Sequence, residues 1–220
     1  MTKLLLFGAT GNLGKEIAKE ALQQGYDLTV VVRNNARAES LSNITTKFIV
    51  TDITNPMSLI DICAGYEVVM SALGKSVSPM DRSKPSFNDI DFVANSHILK
   101  EALKSNVKKF VYVSAFHAEK YQHAAYFRVH HCFSELLMSS GLNYSIIKPP
   151  AIFSGFLDMI DLAKKGNLVN IGMGDKKTNP IYEGDLAKIC VGAIEGNNVI
   201  QEVGGMTIYT RKQLLELIQK

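Results

Sequence analysis

Gly8, Gly11 and Gly14 recur at three-residue spacing in Gly8-Ala9-Thr10-Gly11-Asn12-Leu13-Gly14, directly after the apolar run Leu4-Leu5-Leu6-Phe7. Between a strand and a helix, that spacing makes a phosphate cradle. The first glycine permits a tight turn, the second lets backbone approach a pyrophosphate, and the third lets helix and strand pack closely. The free amides of Asn12 and Leu13 would stand at the positive end of the helix, where a diphosphate is held. A second chemical pointer ends the next apolar run. Val30-Val31-Val32 stops at Arg33, about 19 residues beyond Gly14, where an acid would bond the ribose hydroxyl of NAD and an arginine suits the 2′-phosphate of NADP. Arg37, four residues on, is placed to join it. The expected cofactor is therefore NADP, as NADPH in its reduced form.

The elements that must position these residues alternate. Leu4–Phe7, Leu28–Val32, Lys47–Val50, Glu67–Ser71, Phe110–Ser114 and Tyr144–Lys148 read as short buried strands. Between and after them, helices are predicted over Leu13–Leu22, Pro56–Ala64, Asn88–Ser105, Ala124–Ser139, Phe156–Lys165, Glu183–Ile194 and Thr210–Gln219. In the last of these, Thr210 and Gln213 form a capping box. Strands alternating with helices imply right-handed βαβ units and a parallel sheet covered on both faces. The expected fold is an α/β, Rossmann-like, doubly wound sheet in one domain over residues 1–220, with about 150–220 contributing a small substrate-side cap. Ligands of such sheets bind beyond the carboxyl ends of the strands.

Composition narrows the function classes. The chain has 220 residues, 46% hydrophobic and 20% charged, with 16 Gly and 6 Pro, which excludes a disordered chain, a collagen and a disulfide scaffold. A net charge of +3 is too mild and interspersed for a nucleic-acid protein. Cys63, Cys132 and Cys190 lie far apart and read as reduced core thiols. The N-terminal apolar stretch is too short for a secretory or spanning segment, so a cytoplasmic protein without membrane contact is expected. His97, His117 and His123 show no ligand spacing, and no metal site is expected.

Taken together, GATGNLG, VVVRN, Asp52-Ile53, Ser71-Ala72-Leu73-Gly74, Asp91 with Asn95, Val111–Ser114, Ser140-Gly141-Leu142-Asn143-Tyr144, Asn179-Pro180-Ile181 and Asp185-Leu186-Ala187 stand in one family's order. The chain resembles the short-chain dehydrogenase/reductase superfamily, in its atypical NAD(P)H-binding branch (NmrA-like, biliverdin-IXβ and flavin reductase-like). Ser114-Ala115-Phe116 and Lys148-Pro149-Pro150 look like the biliverdin-IXβ/flavin reductases, while Asn179-Pro180-Ile181 looks like bacterial epimerase-like members. The resemblance implies that Gly8, Thr10, Gly11, Asn12, Leu13, Gly14 and Arg33 bind the dinucleotide, that Asp52 and Ile53 touch adenine, and that Ser71, Ala72, Leu73 and Gly74 line the riboses. Ser114 and Pro149 complete the cofactor set.

The superfamily's catalytic pattern is a strand-end serine followed by Tyr-x-x-x-Lys: serine polarises a carbonyl, tyrosine moves the proton, and lysine lowers the tyrosine pKa and holds the ribose. By resemblance Ser114 takes the serine place, Tyr126 the tyrosine place and His130 the lysine place. His130 is the departure, because a neutral imidazole depresses a phenol pKa much less. His131, about 100° round the helix, is expected to be a surface or packing residue. Lys75–Ser86, with Ser76, Ser78, Pro79, Asp81, Arg82 and Lys84, reads either as a lid over an anionic substrate or as a solvated loop. Ala151–Leu157 with Met159 offers an apolar wall suited to a flat acceptor, or plain core packing.

These expectations describe an NADPH-dependent oxidoreductase passing hydride to a small flavin-, quinone- or pigment-like acceptor. The alternative is a non-catalytic NADP-binding redox sensor working through a protein partner. A nucleotide-sugar epimerase or dehydratase ranks third, since 220 residues leave little room for a larger substrate domain.

Overall fold

The computed structural model describes residues 1–78, 81–167 and 172–219; Pro79 of the expected lid lies outside them. Seven parallel strands form the main sheet in the order β3-β2-β1-β4-β5-β6-β8. They are β1 (Lys3–Phe7), β2 (Asp27–Val32), β3 (Phe48–Val50), β4 (Val68–Ser71), β5 (Lys109–Val113), β6 (Tyr144–Lys148) and β8 (Val199–Glu202). Leu5 lies beside Thr29 on one side and Val69 on the other, so β1 is central. The order reverses across the β1–β4 pair, and the crevice beyond their carboxyl ends is the switch point where ligands of such sheets bind.

Side chains leave the strands alternately to two layers. Leu4, Leu6, Val30, Met70, Val111 and Ile147 pack with Ile17 and Ala21 of α1 (Asn12–Gln23) and Leu186 and Cys190 of α6 (Glu183–Gly192). Leu5, Phe7, Val69, Phe110, Tyr112 and Ile146 face Ile98 and Ala102 of α3 (Asn95–Lys104) and Phe133 and Leu137 of α4 (Ala125–Ser139). Burial on both faces is why these strands read as unbroken apolar runs. It anchors the crevice too: each fully buried Leu or Phe side chain contributes roughly 1.5–3 kcal/mol.

Several expected boundaries differ. Over 56–64 the helix is one 3₁₀ turn, Pro56–Leu59, because Ile60 is extended (ψ 128) and Asp61 left-handed (φ 60). Asn88–Ser105 begins as a π-helical stretch, Asn88–Ala94, before α3. The wall segment starts with a 3₁₀ turn, Phe153–Phe156, ahead of α5 (Leu157–Lys164), and α6 ends in another, Ala193–Glu195. A short α2 (Asn35–Glu39) follows Arg33. β8 went unforeseen, being a short and largely exposed edge strand. Within the residues expected to contribute the cap, Glu183–Gly192 packs in one layer of the core and Val199–Glu202 joins the main sheet, while the separate strand pair at 177–178 and 209–210, with the helix that follows it, forms an outer piece. There β7 (Lys177–Thr178) pairs antiparallel with β9 (Tyr209–Thr210), and the Thr210–Gln213 box caps α7 (Arg211–Ile218). Cys63 and Cys190 are buried, whereas Cys132 is exposed on α4, against the expectation of a core thiol.

Candidate functional site

At the glycine turn, two of the three glycines are demanded by the protein's own backbone. Gly8 is left-handed (φ 85), and a Cβ there would lie 2.4 Å from the Ala72 carbonyl oxygen across the crevice. At Gly14 a Cβ would come within 2.1 Å of the Gly8 carbonyl oxygen. Gly11 differs, since its nearest neighbour would be 3.5 Å away, an ordinary contact. What Gly11 keeps clear is the space in front of the turn. It is also the N-cap of α1, with no side-chain cap bond and no acid in the first turn. A helix N-terminus left uncapped behind an exposed glycine suits a diphosphate.

Gly11, Asn12, Leu13 and Gly14 line a cavity of about 540 Å³ together with Ala72, Leu73, Gly74, Ser114, Tyr126, His130 and Pro149. The sheet thus brings the glycine turn and the expected catalytic residues to one hollow. Ser71 lies beneath it, fully buried, its hydroxyl donating to Asn95 Oδ1 at 2.6 Å. Arg33, Asp52 and Ile53 are outside the wall. Arg33 is exposed at the end of β2, and Ile53 is buried. Asp52 accepts from the Thr54 amide (2.9 Å) and hydroxyl (2.7 Å), bonds that hold its carboxyl below the usual range.

Around Tyr126 the hydrogen bonds fix proton positions. The buried Tyr112 hydroxyl lies 2.6 Å from His130 Nδ1. A buried phenol needs an acceptor, so Nδ1 accepts and the imidazole proton sits on Nε2, a tautomer assigned from the network. Nε2 faces Asp91 Oδ1 at 3.4 Å. Nδ1 is therefore bonded inside the protein, while Nε2 stands near Asp91 without a hydrogen bond to it. Burial pushes the His130 pKa down to about 4, leaving the ring neutral. Tyr126 packs edge-on against it, centroids 4.6 Å apart, and burial, reinforced by Asp91, drives the phenol up to about 12. Ser134 gives its proton to the His130 carbonyl oxygen at 2.8 Å, so across the 3.1 Å Ser114–Ser134 contact Ser114 is the donor.

Asp91 was not singled out as a site residue, although it lines this cavity. The π-helical turn carries it there; such turns recur at functional sites. The available signal was an acid on an apolar stripe, with Asp91, Asn95, Ile98 and Ala102 all on the buried face.

Lys75 ties together described parts of the loop over 75–86. Its ammonium bonds Asp81 Oδ2 (2.9 Å) and the Ser83 hydroxyl (2.6 Å), while its amide donates to Asp91 Oδ2 at 3.2 Å. Arg82 and Lys84 are exposed. Pro149 through Ile152, Ser154, Gly155 and Phe156 form the apolar wall, whereas Phe153 and Leu157 face a neighbouring groove and Met159 lines neither. His131 is half-buried, 3.9 Å from Glu135. His117, Glu119 and Glu202 bring ligand-type atoms within 4.8 Å of one another, a grouping sequence spacing did not reveal. Lys148 bonds Glu119 at 3.3 Å and Lys120 reaches His117 Nε2 at 3.4 Å, so two ammonium groups already balance it. Among the described residues, no helix is long and apolar enough to cross a membrane.

A doubly wound sheet with a glycine cradle at its switch point defines a dinucleotide-binding protein of Rossmann type. A family model described as NAD(P)H-binding matches residues 8–196, and the chain belongs to that family. It is 31% identical over 154 residues to Photosystem II assembly factor Ycf39 of Cyanophora paradoxa, covering 70% of this chain and 47% of that protein. It is 26% identical over 222 residues to divinyl chlorophyllide a 8-vinyl-reductase of Zea mays, covering 93% and 55%. The chain spans about half the length of these curated relatives. In fold it is similar to the Escherichia coli NADPH-dependent quinone oxidoreductase crystallised with NADPH, with TM-score 0.80, 19% identity, and 98% and 74% of the two chains covered.

Proposed function

We propose that this protein is an NADPH-dependent oxidoreductase acting on a small, flat, conjugated acceptor such as a flavin, quinone or tetrapyrrole-like pigment. One observation carries the reading: a single cavity joins the uncapped helix end at Gly11–Gly14 to Ser114 and Tyr126 under the apolar wall Pro149–Phe156. The activities of two similar proteins, a vinyl-reductase and a quinone oxidoreductase, support it.

The bound dinucleotide supplies the hydride. The chain's part is placement and exclusion of water. The amides of Asn12 and Leu13 hold the diphosphate, and Ala72–Gly74 flank the riboses. The wall residues 150–156 lay the acceptor against the nicotinamide. Tyr126, kept a neutral phenol by burial, donates a hydrogen bond to the acceptor heteroatom. Ser114 already donates its proton to Ser134 in the resting network and can donate to an acceptor only once that bond is exchanged. Arg33 meets the 2′-phosphate.

Incubating the protein with NADPH and a panel of quinones, flavins and dyes tests the reading; stoichiometric cofactor oxidation with at least one acceptor is expected. A second reading, a redox-sensing binder without turnover, is favoured by a buried, neutral His130, its Nδ1 bonded to Tyr112, where the superfamily keeps a lysine. The role of the relative Ycf39 as an assembly factor is compatible with it. Tight dinucleotide binding with no turnover on any acceptor, and a protein partner captured only with one redox form, decides for that reading. Arg33→Asp is expected to move preference from NADP toward NAD by about tenfold or more, the value of one charge-assisted hydrogen bond. An unchanged ratio of the two dissociation constants removes Arg33 from the site.

A further inference from the structure

We propose that Asp91 is the proton store of the cofactor site, a carboxylic acid while the bound nicotinamide is reduced and a carboxylate once that ring is oxidised and positively charged. The inference rests on the cofactor reading above and holds whether the protein turns over or only senses.

The carboxyl is fully buried in the cavity wall. Oδ2 accepts one amide, from Lys75 at 3.2 Å, and among the described residues Oδ1 has no hydrogen-bond partner, His130 Nε2 standing 3.4 Å away without making a bond. A buried carboxylate needs several donors or a close counter-charge, and a single amide falls short of that. From α4 it meets His130, neutral through burial, and Tyr126, a protonated phenol. From β5 comes Tyr112, whose burial keeps it a phenol as well. From the loop after β4 the Lys75 ammonium is turned away to Asp81 and Ser83. On its own helical stretch, Asp89 is tied to the Ser86 amide and hydroxyl at 2.8 Å. The Lys75 charge, already committed to Asp81, and the amide bond favour the carboxylate, but desolvation outweighs them and pushes Asp91 up to about 7. A reduced nicotinamide is uncharged and leaves that balance alone. An oxidised one brings a full positive charge to the same low-dielectric hollow and favours the carboxylate.

The same charge logic balances the reaction. Hydride leaves the dinucleotide and forms a C–H or N–H bond on the acceptor. A proton passes from the Asp91 carboxyl into the cavity, to the acceptor atom that gained the electron pair. The cationic ring and the new carboxylate neutralise each other, and Asp91 takes a proton back from water when the oxidised dinucleotide departs.

The test is the affinity of the full chain for NADP⁺ and for NADPH between pH 5 and 8. The ratio of the two cancels the titration of the 2′-phosphate, which both forms carry. In the wild type, preference for the oxidised form is expected to rise with pH by about tenfold across this range, one pKa unit of linkage. In Asp91→Asn it is expected to stay level. A level ratio in the wild type, or a pH-dependent one in Asp91→Asn, overturns the proposal. If neither form binds, the cofactor reading itself falls and takes the proposal with it. Infrared difference spectra of the wild type between its two cofactor complexes give a check that needs no variant: the band of a protonated buried carboxyl is expected with NADPH and absent with NADP⁺, and its absence from both overturns the proposal.

Discussion

The two ends of the cavity are built on different principles. At the dinucleotide end the shape is set by backbone: Gly8 and Gly14 are glycines because a Cβ would strike carbonyl oxygens at 2.4 and 2.1 Å. At the acceptor end the shape is set by a buried side-chain chain running Tyr112–His130–Asp91, with distances of 2.6 and 3.4 Å. Backbone sterics leave few residue types able to satisfy them, so that end is rigid and generic. A polar network has many solutions and can be retuned, so under the proposed function the specificity of the chemistry would be set at the acceptor end.

The largest effects should separate the roles of the glycines. Gly14→Ala forces a Cβ into backbone and is expected to destabilise by about 3 kcal/mol or more, since neither partner atom can rotate away. Gly11→Val has room in the protein itself, with φ −73 within reach of any residue. Its stability should change by less than about 1 kcal/mol, while dinucleotide affinity falls at least about a hundredfold, because the side chain takes the place of the pyrophosphate. Chemical denaturation and cofactor titration of both variants measure the contrast. Equal loss of stability in the two would mean that the dinucleotide end is not organised as described.

At the acceptor end the comparison sharpens through pH. Asp91 has a folded pKa of about 7, above its ordinary 3.8, so the native state holds more protons than the unfolded one between those values. Stability from this group is complete at low pH and declines as pH rises from about 4 to 7. His130 works in reverse: its folded pKa of about 4 lies below the ordinary 6.5, and its contribution grows as pH rises through that window. Each tilt is worth roughly 3 kcal/mol, and the two nearly cancel, so the wild type should be level from pH 4 to 6.5. Asp91→Asn should gain stability with rising pH, and His130→Gln should lose it. Denaturation midpoints at four pH values suffice; parallel profiles for all three proteins would show that the two groups do not titrate as a buried, mutually balanced pair.

How far each end was legible follows from the same physics. The glycine spacing, the buried strands and the Thr210–Gln213 box are local, and local patterns carry them in sequence. The π-helical register of Asn88–Ala94 is not local: it is held by packing on α4, and only that register sets Asp91 against His130, 39 positions away. β8 escaped because Val199–Glu202 is short and mostly exposed, so no buried face imprints a period on it. Ser114, Tyr126, His130 and Pro149 were named through resemblance and do converge on one cavity, yet nothing in the sequence disclosed that His130 Nδ1 is spent on Tyr112 and that Nε2 faces Asp91.

The smallest expected effect concerns the outer piece. α7 begins at a box in which the Thr210 hydroxyl accepts the Gln213 amide at 3.2 Å and Gln213 Oε1 accepts the Thr210 amide at 2.8 Å. Thr210→Ala removes the first of these and should cost about 1 kcal/mol. The loss falls on a helix whose Leu214 and Leu217 border the groove shared with Phe153 and Leu157, not on the sheet. Dinucleotide affinity should therefore stay unchanged, while amide exchange in 211–218 accelerates by about fivefold to tenfold. Were cofactor affinity to fall in step with helix stability, the two ends of the cavity would be one cooperative unit, and the division between a backbone-built cradle and a side-chain-built acceptor site would have to be redrawn.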